Sequence, residues 1–216
     1  MDKILKQSFW STLVIYFGVL LGFINSIILV PKFLSTEEIG LFRQIISAST
    51  ILIPLTTFGV SSSYVKFYPL FKKDSNQKNQ FFSLNLILIF GAYILVCSMI
   101  YIFFEEIKSI FSQKSELFIE YFYVVYYILF LMSISALFES YLRARYNTIL
   151  SNVLNGVSNR ILTSISIILL AYSFIDFKKV IHFQILIYSL GLLSKIDKSN
   201  NDFELVEVNN NSLYYE

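Results

Sequence analysis

The length of the apolar runs limits most strongly what this chain can become. Residues 9–30, 81–104, 117–138 and 151–174 are apolar almost throughout, and 45–60 extends with its flanks to a comparable length. A sixth run, 180–193, is shorter and is interrupted by His182 and Gln184. A helix crossing the hydrocarbon core of a bilayer needs about 20 residues. Composition agrees: 56 % of the residues are hydrophobic and 15 % charged, against about half and a quarter in soluble domains. The expected fold class is all-α, a polytopic membrane bundle of about six transmembrane helices over residues 1–195. The acidic, Asn-rich stretch 196–216 reads as a disordered cytoplasmic tail, loosely strand-prone where 203–208 alternates.

Several other classes are excluded. A cleaved secretory signal would have a shorter apolar core and a small-residue cleavage site, so the first run is an uncleaved span. A membrane β-barrel would show short alternating segments. The single cysteine, Cys97, rules out an internal disulfide. His182 is the only histidine, with no ligand partner in view, so no metal site is expected. No nucleophile pattern, phosphate-cradling glycine loop or cofactor motif is present. The basic residues are scattered through short loops, which argues against a nucleic-acid partner. The chain does not read as an enzyme.

Orientation follows from lysine and arginine. With a cytoplasmic N-terminus, the inner segments hold Lys3, Lys6, Lys66, Lys72, Lys73, Lys78, Arg143, Arg145, Arg160, Lys195 and Lys198, eleven of the 17. The outer segments hold Lys32, Arg43, Lys108, Lys114, Lys178 and Lys179. The excess marks the cytoplasmic side.

The joint "PKFLSTEEIGLFRQ", residues 31–44, connects the first two spans. Pro31 is expected to close the first span, because its ring removes a backbone donor. "STEE" then supplies a cap, with Ser35 or Thr36 accepting from the next turn and Glu37 and Glu38 set against its positive dipole. Beyond it, Arg43, Ser47, Thr50, Pro54, Thr57 and Ser61 recur at steps of four and three, on one helical face. Ile46, Leu52, Ile53 and Val60 lie opposite. A polar face on a span looks toward other helices or water, and the Arg43 side chain is expected to turn inward. The same face also suits plain helix packing. Asn152, Asn155, Asn159, Thr163 and Ser166 form a second stripe, flanked by Gly156 and Arg160; snorkelling of Arg160 to the cytoplasmic end is the simpler alternative to a hydrated interior. In the first span, Gly18, Gly22 and Ser26 form a small-xxx-small run, with Asn25 on nearly the same face as Gly18. Glu139 and Arg143 are placed to pair at i and i+4. The aromatic residues over 120–127 suit an interfacial belt.

Residues 22–71, "GFINSIILVPKFLSTEEIGLFRQIISASTILIPLTTFGVSSSYVKFYPLF", resemble the N-terminal signature of Wzx-like oligosaccharide and polysaccharide flippases. These belong to the multidrug/oligosaccharidyl-lipid/polysaccharide exporter superfamily. The likeness rests on the span ending at Pro31, the "LSTEEIGLFR" joint, a second span with Gly59, and the exit from Lys66 to Phe71. "ARYNTILSNVL", residues 144–154, also resembles that family's loop before its fifth span. The resemblance covers about residues 1–193.

It implies a transporter that flips a polyprenyl-diphosphate-linked oligosaccharide across the bacterial inner membrane for surface polysaccharide or lipopolysaccharide synthesis, by alternating access and without a covalent step. Arg43, Ser47, Thr50, Asn25, Lys66, Asn159 and Arg160 are its candidate substrate contacts, since a diphosphate in low dielectric calls for cationic and hydroxyl donors. The partners expected are the lipid-linked oligosaccharide and membrane lipids. Transporters of this kind run to about twelve to fourteen spans, whereas about six are present here. The expectation is a half that pairs with a second copy or a companion half, associating through Gly18, Gly22 and the second-span stripe, or a truncated product acting as a scaffold. A cation-coupled small-molecule exporter is the remaining rival. It would need an acid deep in an N-terminal span, while Glu37, Glu38, Glu105, Glu106, Glu120 and Glu139 all lie at or near span ends.

Overall fold

The computed structural model of the chain describes residues 2–71, 74–111, 115–145 and 152–212, with side chains placed from residue 8 to 199 apart from 75, 154 and 155. Lys72, Lys73, Lys114, the centre of the "ARYNTILSNVL" segment and residues 213–216 lie outside the described residues, as do the side chains of Lys3, Lys6 and Asn155. Among the described residues every regular element is helical. The chain is an all-α, polytopic membrane bundle.

Helix α1 (Asp2–Phe23) runs through a π-helical turn, Ile24–Leu29, into α2 (Val30–Phe33). Together they give one apolar span, Ser8–Phe33. Pro31 therefore does not close the span; it sits in the first turn of α2, and the helix ends after Phe33. The reason lies in the turn before it. Val30 N–H donates to the Asn25 carbonyl, five residues back, and the wider turn makes room for the proline ring where an α-helical carbonyl would clash.

The joint then folds as its residue types dictate. Ser35 caps α3 (Thr36–Thr57): its Oγ accepts from Glu38 N–H at 3.3 Å, and Ser35 N–H donates to Glu38 Oε2 at 2.8 Å. This reciprocal pair satisfies two amides that otherwise lack partners. Helix α3 continues through Pro54 to Thr57 and breaks at Phe58 and Gly59, both left-handed with φ of 45° and 75°. Helix α4 (Val60–Phe71) follows. The second apolar run is thus carried by α3 up to Thr57, while Val60 and the last member of the polar stripe, Ser61, fall on α4.

Asp74 caps α5 (Ser75–Ile102), accepting from Asn76 and Gln77 N–H. Short helices α6 (Phe104–Phe111) and α7 (Glu116–Glu120) lead to α8 (Phe122–Ala144). A second π-helical turn, Val153–Ser158, opens α9 (Asn159–Ala171), and α10 (Phe177–Ser212) closes the described chain. Among the described residues five helices are long and apolar enough to cross a membrane, and Gly156–Ala171 is a shorter apolar helix. The last two runs exchange the lengths expected of them: α10 is the longest helix, with a span of Phe177–Ser199, while the fifth run is the shorter one. Helix α10 also continues through the stretch from 196 to 212, where a disordered tail was expected.

Helix α8 is the hub, packed against α3, α4, α5 and α10. Val124, Val125, Ile128, Leu129, Leu137, Tyr141 and Leu142 are wholly buried along it. At one end Tyr64 and Tyr68 of α4 gather with Phe81, Phe82 and Tyr141. At the other, Phe104, Phe111, Phe118, Phe122 and Tyr126 interlock. The 120–127 aromatics are therefore divided: Tyr121 and Phe122 belong to the core, and Tyr123 and Tyr127 are exposed as a belt would require. Helices α1, α9 and α10 pack along the other side, joined to the hub through α10.

Candidate functional site

The two polar stripes meet different fates. On α3 the residues that pack inward are Leu41, Ile45, Ser49 and Thr56, a face turned away from most of the stripe. Arg43, Ser47, Thr50 and Pro54 are exposed on the flank of the bundle; only Thr57 is buried, and Ser61 is half-buried. Arg43 therefore does not turn into the bundle, contrary to expectation. It has no bonding partner among the described residues. Thr50 Oγ1 returns its hydrogen bond to the Ile46 carbonyl at 2.7 Å. Lys66, on α4, is exposed with its ammonium 5.4 Å from the Phe67 ring centre.

The face of the fifth run that meets α1 is not the stripe as counted but Asn152, Gly156, Arg160 and Ser164, which form a polar seam. Asn159 turns instead to Gly191 of α10. Asn152 Nδ2 donates to Ser11 Oγ at 2.5 Å. Seven residues along α1, Gly18 meets the backbone of Gly156, close enough that an added Cβ would stand 3.0 Å from the Gly156 carbonyl oxygen. Another seven on, Asn25 Nδ2 donates to the Arg160 carbonyl at 2.9 Å and its Oδ1 accepts from Ser164 Oγ at 2.6 Å. The small-residue face of α1 is thus engaged within the chain, so it is not a free surface for association.

Arg160 is the central charge of this seam. Its guanidinium donates to the Gly18 carbonyl and lies flat against Gly22, where a Cβ would come within 2.9 Å of the guanidinium carbon. Gly18 stands ten residues inside the Ser8 end of its span, so the side chain does not reach that end, as snorkelling would require. No acidic group pairs with Arg160 among the described residues. A cation held inside an apolar bundle without a counter-ion costs free energy unless water or an anion meets it.

It meets a cavity. A space of about 460 Å³ opens between α1 with its π turn, α3, α9 and α10. Its polar lining is Asn25, Ser26, Asn159, Arg160, Thr163 and Gln184, and Phe42, Ile46 and Tyr188 supply apolar and aromatic wall. Of the seven sequence candidates the structure gathers three here, Asn25, Asn159 and Arg160, and leaves Arg43, Ser47, Thr50 and Lys66 outside. Asn25 lines the space with both amide atoms already bonded to α9, so it shapes the cavity more than it offers donors. Gln184 and Tyr188 were not anticipated. Their signal was present as an amide and an aromatic at i and i+4 in an otherwise aliphatic run, masked because that run looked too short to span. Ile46, placed opposite the α3 stripe, lines the cavity as well.

A separate charged seam joins α8 to α10. Lys195, 1 % exposed, donates to Ser135 Oγ at 2.5 Å and lies 3.7 Å from Glu139, which also pairs with Arg143 as its i, i+4 spacing indicated. Lys195 is thus a buried cross-link rather than a charge at the membrane face. His182 Nε2 bonds to Tyr123 Oη at 3.0 Å. No cluster of three metal-ligating side chains occurs among the described residues.

A family model described as "Polysaccharide biosynthesis protein" matches residues 4–196. No curated protein and no solved structure matches the chain.

Proposed function

The chain belongs to the polysaccharide biosynthesis protein family, and from that premise we propose that it takes part in flipping a polyprenyl-diphosphate-linked oligosaccharide across the bacterial cytoplasmic membrane, N-terminus inside. Members of this family are transporters rather than enzymes, and the chain is a multi-pass membrane protein. The observation that carries the proposal is Arg160: a guanidinium near mid-span, with no acidic partner among the described residues, on the wall of a polar cavity. A diphosphate is the complement of that charge, since guanidinium–phosphate contacts are charge-assisted and strengthen in low dielectric. Exposure of Arg43, Ser47 and Thr50 supports a second element of the reading. A charged and hydroxylated flank is unfavourable against lipid and suits a water-filled cleft facing a second copy or a companion half.

The test is translocation in liposomes of a fluorescent polyprenyl-diphosphate sugar, by the chain alone and with candidate companions. Transport is expected to fall sharply in Arg160→Gln and partly in Arg160→Lys, with unchanged yield and thermal unfolding. Transport by wild type that persists undiminished in Arg160→Gln would refute the role given to this residue.

A further inference from the structure

The space beside the cavity has a different character. Between α9 and α10 lies a groove of about 330 Å³, walled by Ile161, Leu162, Leu190, Gly191 and Ser194. Asn159 lines both the groove and the cavity, so one residue is the wall between them. Among the described residues the groove lining carries no charged side chain. Ser194 returns its hydroxyl to the Leu190 carbonyl at 2.9 Å, so that end of the groove asks for no partner. Gly191 gives the groove its depth, since an added Cβ would meet only Asn159 Oδ1, at 3.4 Å. Ile161 and Leu190 are exposed on the rim. The groove lies along the span Phe177–Ser199, so its open side meets hydrocarbon rather than water. Tyr188 is the middle of that span, and Leu190 to Ser194 lie beyond it, toward Ser199. With the N-terminus inside, that half is the cytoplasmic leaflet.

A polyprenyl diphosphate joins two chemistries through one ester bond: an anionic head that seeks cations, and a branched hydrocarbon chain that stays in the bilayer. With the diphosphate at Arg160, the chain has to leave the cavity along an apolar wall that opens to lipid. Resting on the reading of the cavity as a glycan-lipid site, we propose that the α9–α10 groove holds the first prenyl units of the substrate in the cytoplasmic leaflet. Asn159 then divides head from tail. The recess left by the missing side chain of Gly191 has the width of a methyl group, which a prenyl chain carries at every unit and a straight acyl chain lacks. Bilayer lipid already solvates apolar surface as well as leucine does, so the groove gains only close packing. Its effect is to select branched chains and to hold the head in register with Arg160.

The experiment uses the full chain in nanodiscs of phosphatidylethanolamine and phosphatidylglycerol. Two photoactivatable probes carry a diazirine at the same distance from phosphorus, one a polyprenyl diphosphate and the other a straight-chain phosphatidylglycerol, and cross-linked residues are read by mass spectrometry. The prenyl probe should label Ile161, Leu162 and Leu190 saturably and be displaced by unlabelled polyprenyl diphosphate. The phosphatidylglycerol probe should label them weakly and without saturation. Gly191→Leu fills the recess and Ser194→Leu narrows the open end. Each should cut prenyl labelling of the groove about fivefold, the modest scale of lost close packing against lipid, while calorimetric binding of inorganic pyrophosphate stays near wild type. Ser194 is exposed, so its variant loses no packing, and an unchanged thermal unfolding separates loss of labelling from misfolding. Arg160→Gln should lower both prenyl labelling and pyrophosphate binding, because the head no longer tethers the chain. Equal, non-saturable labelling by the two probes would make the groove an ordinary lipid contact and overturn the inference. So would saturable labelling confined to other helices, or groove labelling that survives both groove variants. In each of these events, Arg160-dependent pyrophosphate binding would leave the flippase reading standing; its absence would remove that reading too.

Discussion

The two sides of this bundle use polar residues in opposite ways. Around α8, hydroxyls are consumed locally: Thr56 and Ser133 bond each other at 2.6 Å, and Ser49 turns its Oγ to the Ile45 carbonyl at 2.9 Å. Tyr64 Oη is the one hydroxyl in that cluster left unpaired among the described residues, and aromatic rings fill the space around it. Along α1, α9 and α10, π turns follow α1 at Ile24–Leu29 and precede α9 at Val153–Ser158, and polar groups of these helices converge on a cavity. The comparison teaches that polar content alone does not mark a site in a membrane protein. What marks it is whether the helices have satisfied that polarity among themselves. Each π turn adds a residue to the helical circuit and rotates everything beyond it, a feature often found at functional sites.

The largest expected effect separates wet from dry. In a Cys97→Ala background, Thr163→Cys on the cavity wall should react with a small water-soluble thiol reagent, while Ser133→Cys in the α8 core should stay inert, a difference of orders of magnitude in rate. Equal reactivity would erase the distinction between the two sides. Next, Tyr141→Ala removes a wholly buried ring touching Tyr64, Tyr68 and Phe82. It should lower unfolding stability in detergent by about 3–5 kcal/mol, and a loss below 1 kcal/mol would show the packed side to be loose. Gly18→Val drives a branched side chain into the Gly156 backbone and should cost about 1–3 kcal/mol, read as a fall in unfolding temperature. The smallest effect is Thr56→Val: the hydroxyl pair with Ser133 should contribute about 0.6 kcal/mol, the average for interhelical hydrogen bonds in membranes. A larger loss there would move part of the bundle's specificity into its polar contacts.

Much of this architecture could be read from residue order. The apolar runs name the spans, "STEE" names its own cap, and Glu139 with Arg143 names its own pair, because each depends only on neighbours along the chain. The small face of α1 was legible too, though its partner was not; Gly18 and Gly22 received Gly156 and Arg160, more than a hundred positions away. Which face of α3 turns inward could not be read, since Ser and Thr suit packing and solvation equally, and the choice fell to the volumes of Leu41 and Ile45 against α8. The π turns were also hidden. They shift the angular position of every residue after them, so a stripe counted at a strict helical period drifts off its true face. Gln184 escaped notice for a related reason: its place on the cavity wall belongs to the assembled helices.

The contact between Gly18 and Gly156 carries an evolutionary consequence. No single-base change that alters a glycine codon yields another residue without a Cβ, and at Gly18 even alanine would stand 3.0 Å from a backbone oxygen that has no flexible side chain to yield. Gly22 is more forgiving, since the group in its way is the far end of Arg160. Of two glycines about one helical turn apart, the first is the less replaceable, since any side chain there asks the facing Gly156 backbone to give way by a few tenths of an ångström.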